Sequence, residues 1–291
     1  MMNIQWFPGH MSKTRRLISE NIKLVDILIE LVDARLPLSS RNPEIEKIAG
    51  DKPRIVVLNK ADMADETANK AWLEYFQSQG IYAMTAVSTS GKGFSQLNIL
   101  ADKTLAEKRA RDREKGIVRS TVRMMCVGIP NVGKSSFINK LAGKSAARTG
   151  DRPGVTTAKQ WIKLPGKYEL LDTPGVLWPK FEDKDVALRI AFSGGIKDEI
   201  LDVEELCCHL LEFLRDNYFK NLCERYKLDE ELRTLQGFEI LGLIGKRRGC
   251  VVSGGEIDTF RAATLVLDDF RATKLGKITL EMPGDIKAEE L

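Results

Sequence analysis

The segment Gly128-Ile129-Pro130-Asn131-Val132-Gly133-Lys134-Ser135 has the spacing G-x-x-x-x-G-K-[ST] of a loop that grips phosphate. Glycines suit that task because backbone N–H groups must close around phosphate oxygens, and a Cβ would stand in the way. Lys134 neutralises the β- and γ-phosphates at the start of a helix, where the macrodipole already favours anions. The Ser135 hydroxyl is a ligand for Mg²⁺, while Asn131, Val132, Gly133 and Ser136 complete the nucleotide cradle. The context fits: the apolar run Val122–Val127 precedes the loop, and Phe137, Ile138 and Leu141 share one face after it.

Asp172-Thr173-Pro174-Gly175 closes the apolar run Tyr168–Leu171. A carboxylate at the C-terminal end of a strand beside a phosphate loop reaches Mg²⁺ through water. The Gly175 N–H then meets a γ-phosphate only while that phosphate exists, which makes a hydrolysis-sensitive switch. In Pro153-Gly154-Val155-Thr156-Thr157, Thr156 supplies the second protein ligand to Mg²⁺. Asn59-Lys60-Ala61-Asp62 follows another buried run, Ile55–Leu58. A rigidly held Asp62 accepts from both N1–H and the exocyclic amine of guanine, which adenine does not present. An unpaired buried acceptor costs ~10⁴ in discrimination, so Asp62 sets guanine specificity. Asn59 reads the other edge and braces the phosphate loop, and the stem of Lys60 lies against the base. Ser88, in the loop Val87–Gly93, approaches the guanine oxygen through its backbone. Each short motif alone also occurs in ordinary turns; together they specify GTP. A phosphate-loop ATPase is the competing reading, and Asp62 argues against it.

The order of the motifs is reversed from the usual one, since the guanine reader precedes the phosphate loop. The site still assembles if the chain is circularly permuted, because strands need only be adjacent in space. The elements that must position these residues are short apolar runs at 26–33, 54–59, 81–87, 122–127, 160–164 and 168–171. Helical patterns alternate with them, one carrying Trp72, Leu73 and Phe76 and one long and charged from Phe94, so a mostly parallel sheet flanked by helices is predicted. After about residue 180 the pattern is helical only. One stripe carries Leu206, Leu210, Leu211, Phe213 and Leu214, and another Phe260, Ala263, Leu267 and Phe270. The expected fold class is α/β: a circularly permuted phosphate-loop GTPase domain over 1–178, then a smaller all-helical domain over 179–291.

The chain has 291 residues, 43% hydrophobic and 30% charged, with a net charge of +4, which excludes a mainly disordered protein. No apolar run approaches the ~20 residues that cross a bilayer, so no membrane partner is expected. Five cysteines without Cys-x-x-Cys spacing read as thiols in a reducing compartment, and with no signal pattern at the first residues a cytoplasmic location is expected. A monomer is expected. Basic residues gather at 103–123 and at Lys246-Arg247-Arg248, and each cluster is either a solvated helix face or a phosphate-binding surface. Val176 stands where many GTPases have a water-orienting Gln, so another group must serve or intrinsic hydrolysis is slow.

Trp6-Phe7-Pro8-Gly9-His10-Met11, Val32-Asp33-Ala34-Arg35, Asn59–Asp62, Gly128–Ser136, Pro153–Thr156, Asp172–Gly175 and Lys246-Arg247-Arg248-Gly249-Cys250 together resemble the YlqF/RbgA family of circularly permuted GTPases over nearly the whole chain. The resemblance implies GTP hydrolysis coupled to a late step in assembly of the large ribosomal subunit, with hydrolysis driving release and the subunit stimulating turnover. It implies a helical domain that contacts rRNA and ribosomal proteins, with Lys246, Arg247 and Arg248 as RNA-binding candidates beside Arg261, Arg271, Lys274 and Lys277. It makes His10 the candidate catalytic residue that positions water, the alternative being a solvated terminal histidine. Resemblance to cation-dependent GTPases suggests that Asn131 lends an oxygen to K⁺, the alternative being a local backbone cap. A second reading keeps the protein as an RNA-binding assembly module whose nucleotide is a lock with negligible turnover.

Overall fold

The computed structural model describes residue 16 and residues 18–117, 121–143, 160–173, 175 and 183–285. Six strands form one sheet: β1 (Ile27–Asp33), β2 (Arg54–Asn59), β3 (Tyr82–Thr85), β4 (Val122–Val127), β5 (Gln160–Lys163) and β6 (Tyr168–Asp172). The order across the sheet is β3-β2-β1-β4-β6-β5, parallel throughout except for β5, which runs antiparallel to β6 at the edge. β1 and β2 are apolar on both faces and almost wholly buried, as strands covered by helices on each side must be.

The helices of this unit are α1 (Pro43–Ala49), α2 (Glu66–Ser78), α3 (Ser95–Thr104), α4 (Ala106–Glu114) and α5 (Lys134–Ala142). On one face of the sheet Val32, Val56 and Leu58 pack with Ala68, Trp72 and Phe76 of α2. Further along the same face Leu28, Met125, Val127 and Leu171 meet Ile18, Ile22 and Ile45. Glu30 lies between these clusters, buried and paired with Arg41 at 3.1 Å. The charged helix expected from Phe94 onward is two helices meeting at buried Leu105, whose backbone (φ −97°, ψ 1°) leaves helical geometry. Part of its basic character is spent internally: Lys108 binds Asp26 at 2.6 Å and Arg109 binds Asp102 at 2.7 Å. At the base of β4, Arg123 pairs with Glu169 at 3.3 Å.

The chain divides into two compact units, one spanning Phe181–Ile278 and the other Gln5–Lys180 together with the stretch that begins at Thr279. Residues 279–285 thus lie with the sheet-containing unit, whereas the expected helical domain over 179–291 includes them. The physical reason is a set of hydrogen bonds: Thr279 accepts from Asp65, Glu281 accepts from Ser39 and Trp72, and Leu280 donates to Arg35.

The helical unit holds α6 (Lys184–Phe192), α7 (Val203–Asn217), α8 (Phe219–Tyr226), α9 (Gly237–Arg248) and α10 (Thr259–Arg271). Leu206, Leu210, Leu211 and Leu214 of α7 form its core with Ile240, Leu241 and Ile244 of α9 and Ala263, Val266, Leu267 and Phe270 of α10. Phe260, expected on that stripe, is 60% exposed, because the buried face of α10 begins only at Ala262. No helix among the described residues is long and apolar enough to cross a membrane.

Candidate functional site

β1 and β2 end at Asp33 and Asn59, which are paired across the parallel ladder, so two polar side chains emerge together at the C-terminal edge of the sheet. Beyond β1 lies β4, whose crossover runs the opposite way to β6, and the crevice at such a switch point is where open α/β sheets take ligands. After Asn59 the backbone turns sharply. Lys60 adopts a left-handed conformation (φ 58°), Met63 N donates to Lys60 O at 2.9 Å, and Asp65 caps α2 through the N–H groups of Thr67 and Ala68.

The Asn59 carboxamide both donates and accepts. Its Nδ2 donates to Val132 O at 2.9 Å, and its Oδ1 accepts from Ser88 N (3.3 Å) and Ser88 Oγ (2.7 Å). The Lys60 ammonium donates to Asn131 O at 2.7 Å and to Asp33 Oδ2 at 3.0 Å. Asp33 also accepts from Arg35 through its backbone N–H (3.1 Å), Nε (3.0 Å) and Nη2 (2.8 Å). Burial alone would raise the Asp33 carboxyl, but the charges of Arg35 and Lys60 and the bonds from Arg35 outweigh it. They hold Asp33 well below the usual carboxylate range.

On the other side of the crevice β4 runs into the phosphate loop, with Asn131 left-handed (φ 58°) and Gly133 at φ 94° just before α5. A Cβ on Gly133 would lie 2.4 Å from Asn59 Nδ2, so the contact between loop and base reader requires glycine there. Lys134 is buried, and its ammonium donates to Gly128 O (3.1 Å) and Ile129 O (3.0 Å) of its own loop. Burial pushes Lys134 down to about 8, against the opposing pull of Cys126 and Asp172. Burial likewise pushes the Cys126 thiol up to about 12, so it is an inert core residue.

Asp172 is buried at the end of β6, opposite Cys126 of β4, and Thr173 Oγ1 fixes the chain beyond it by donating to Cys126 O at 2.7 Å. Gly175 lies against the loop so closely that a Cβ would stand 2.9 Å from Lys134 Nζ and from Pro130. Mg²⁺ fits this donor set: a hydroxyl at Ser135 and a carboxylate at Asp172 are hard oxygen donors, and a Mg²⁺ shared with phosphates takes only one or two protein ligands. Among the described residues no group of three or more His, Cys, Asp or Glu is placed to hold a metal by itself.

Of the residues singled out by sequence, Asn59, Lys60, Ser88, Asn131, Val132 and Gly133 are joined directly. Lys134, Asp172 and Gly175 converge beside them. Ala61 N donates to Ala86 O at 3.2 Å, Asp62 is exposed at the tip of the turn, and Ser135 and Ser136 occupy the first turn of α5. His10, Thr156 and Val176 lie outside the described residues.

In the helical unit Lys246, Arg247 and Arg248 are exposed in the last turn of α9, though Arg248 donates to Arg225 O at 2.8 Å and stacks over Tyr226. Arg271 is not available to phosphate. It forms a two-pronged pair with Asp198 (2.6 and 2.8 Å) and donates to the carbonyls of Ala191 and Phe192.

Asp33 and Arg35 had no assigned role from sequence, yet an acid ending an otherwise apolar strand is a signal, because a buried carboxylate needs cations beside it. Glu281 offered no signal: its partners lie more than 200 residues away.

Comparison with known proteins places this geometry among relatives. A family model described as 50S ribosome-binding GTPase matches residues 123–241. Ribosome biogenesis GTPase A of Bacillus cereus is 51% identical over 284 residues, covering 98% of this chain and 95% of that one. GDP-bound YlqF superposes with a TM-score of 0.65 at 26% identity, over 93% of this chain and all of that one. GNP-bound YlqF from T. maritima gives 0.64 at 26% identity, over 94% of this chain and all of that one.

Proposed function

This chain belongs to the ribosome biogenesis GTPase A family, and from that premise we propose that it is a monomeric, cytoplasmic factor that binds the nascent large ribosomal subunit, promotes a late step of its maturation, and leaves on GTP hydrolysis. The observation that carries the reading is the pair of bonds Asn59–Val132 and Lys60–Asn131, which tie base reader to phosphate loop across 73 and 71 residues of reversed chain order. A permuted GTPase site requires that connection, and an ordinary strand-end turn does not.

In this reading Asp62 receives the guanine edge, Asn59 and Ser88 hold the loop beneath it, and Ala61 contributes backbone. Val132, Gly133 and Ser136 line the phosphates, and Lys134 exchanges its two loop carbonyls for the β- and γ-phosphates. Ser135, Thr156 and Asp172 would hold Mg²⁺, which would supply positive charge to offset that of the phosphates. Asn131 lends an oxygen to K⁺, and its backbone carbonyl also accepts from Lys60. Gly175 donates to the γ-phosphate, His10 orients the attacking water that Val176 cannot hold, and loss of the γ-phosphate frees the Gly175 segment. Lys246 and Arg247, with a partly engaged Arg248, neutralise rRNA phosphates.

The test is co-sedimentation with purified large subunits in GDP and in a non-hydrolysable GTP analogue, with GTP turnover measured alone and with subunits. Retention in the analogue, release in GDP, and turnover that rises with subunits are expected. Nucleotide-independent retention would remove the release step, and turnover indifferent to subunits would remove stimulation.

A further inference from the structure

The last described stretch of the chain makes a set of contacts that packing of a tail does not require. Glu281 is 4% exposed, and its Oε1 accepts from Leu38 N (2.5 Å) and Ser39 N (2.9 Å), while its Oε2 accepts from Ser39 Oγ. Its backbone carbonyl accepts from Trp72 Nε1 at 3.0 Å. One residue earlier, Leu280 N donates to Arg35 O at 2.7 Å, and Thr279 Oγ1 accepts from Asp65 N at 3.0 Å. Arg35 and Asp65 flank the base reader on two sides. Asp65 starts the helix that follows Asp62, and Arg35 grips Asp33, which in turn holds the ammonium of Lys60.

Lys60 needs such support. A non-glycine residue in the left-handed region is strained, and it persists only where its surroundings over-determine it. We propose that Thr279–Glu281 is a positioning strap for the guanine-recognition loop, with Glu281 as the positioning residue. It fixes the segment 35–40, and that segment holds Asp33 and Lys60 in the geometry that grips the base and braces the phosphate loop. The strap follows directly on Ile278, the last residue of the helical unit. Glu281 acts through Leu38 and Ser39 on the segment 35–40, in which Arg35 grips Asp33 and Ser40 Oγ accepts from Asp33 N at 2.9 Å.

The proposal rests on the reading of Asn59–Asp62 as the guanine reader, and the experiment separates the two. Release of a fluorescent GDP analogue is followed by stopped flow for the full-length protein, Glu281→Ala and Glu281→Gln, at a temperature well below the melting midpoint of each. Glu281→Ala should release GDP about tenfold faster, because two backbone donors and a hydroxyl lose their acceptor. Glu281→Gln keeps an oxygen for the Leu38 and Ser39 N–H groups and should restore release to within about twofold of the unaltered chain. Should Glu281→Ala not fold, Ser39→Ala removes one donor to the same carboxylate and should speed release about threefold. A lowered melting point with unchanged release, or Glu281→Gln as fast as Glu281→Ala, would overturn the strap. An unaltered protein that fails to retain GDP at all would instead overturn the guanine reading.

Discussion

The two sides of the nucleotide crevice are built differently. The base side is braced before any ligand arrives: Asn59, Lys60, Asp33 and Glu281 connect elements that are distant in sequence, and each polar group named meets a fixed partner. The phosphate side is braced locally. Among the described residues the Lys134 ammonium bonds to the carbonyls of its own loop, and burial pushes it down to about 8. A carbonyl dipole is a weaker partner for a buried ammonium than an anion, so on the proposed reading a phosphate would be a stronger partner for Lys134 than these carbonyls. On the proposed reading the braced scaffold carries specificity, and the charge of Lys134 carries affinity.

Three measurements test that contrast. Lys134→Ala should weaken GDP binding about 10³-fold, the loss expected when one partner of a desolvated charge pair is removed, with guanine preference in the residual binding preserved. A loss below tenfold in a fluorescence titration would show that the loop backbone, not the lysine, carries affinity. Asp62→Asn should lower GDP affinity on the order of 10²-fold and shift preference toward xanthosine nucleotides, with the melting temperature unmoved because Asp62 is exposed. Unchanged base preference would break the division of labour. The third is pH. Phosphate binds the protonated Lys134 and raises it in the complex, so GDP affinity should be flat below about 8 and fall by up to about tenfold per unit above it. The ligand-free fold shows the opposite slope. Lys134 is depressed from 10.5, the unfolded chain binds the extra proton, and stability grows as pH rises from about 8 toward 10.5. An affinity that stays level to pH 9.5 would place the lysine outside the phosphate contact.

The strands were legible because burial on both faces writes a continuous apolar run, and β1, β2 and β4 lie where those runs lie. The proximity of Asn59 to the phosphate loop was legible because short motifs encode local geometry that ligand chemistry then relates. What escaped was long-range side-chain pairing. Glu281 sits in a tail without periodicity, and only the need of buried Trp72 for an acceptor hints that something must cover it. Arg271 misled for the same reason: composition marks a cation, not the Asp198 that already occupies it. The break at Leu105 was hidden because its neighbours keep helical spacing.

The placement of Glu281 after the sheet and the whole helical unit has a consequence for biosynthesis. Strands β1 to β6 leave the translating ribosome long before residue 281 is polymerised, and the whole helical unit is made in between. At roughly 5–20 residues per second, several seconds separate emergence of the sheet from arrival of the residue that completes its buried polar network. Nascent chains therefore pass through a stage in which Ser39 and Trp72 lack their final acceptor, and termination just before residue 281 would leave every motif intact yet strand the protein in that juvenile form.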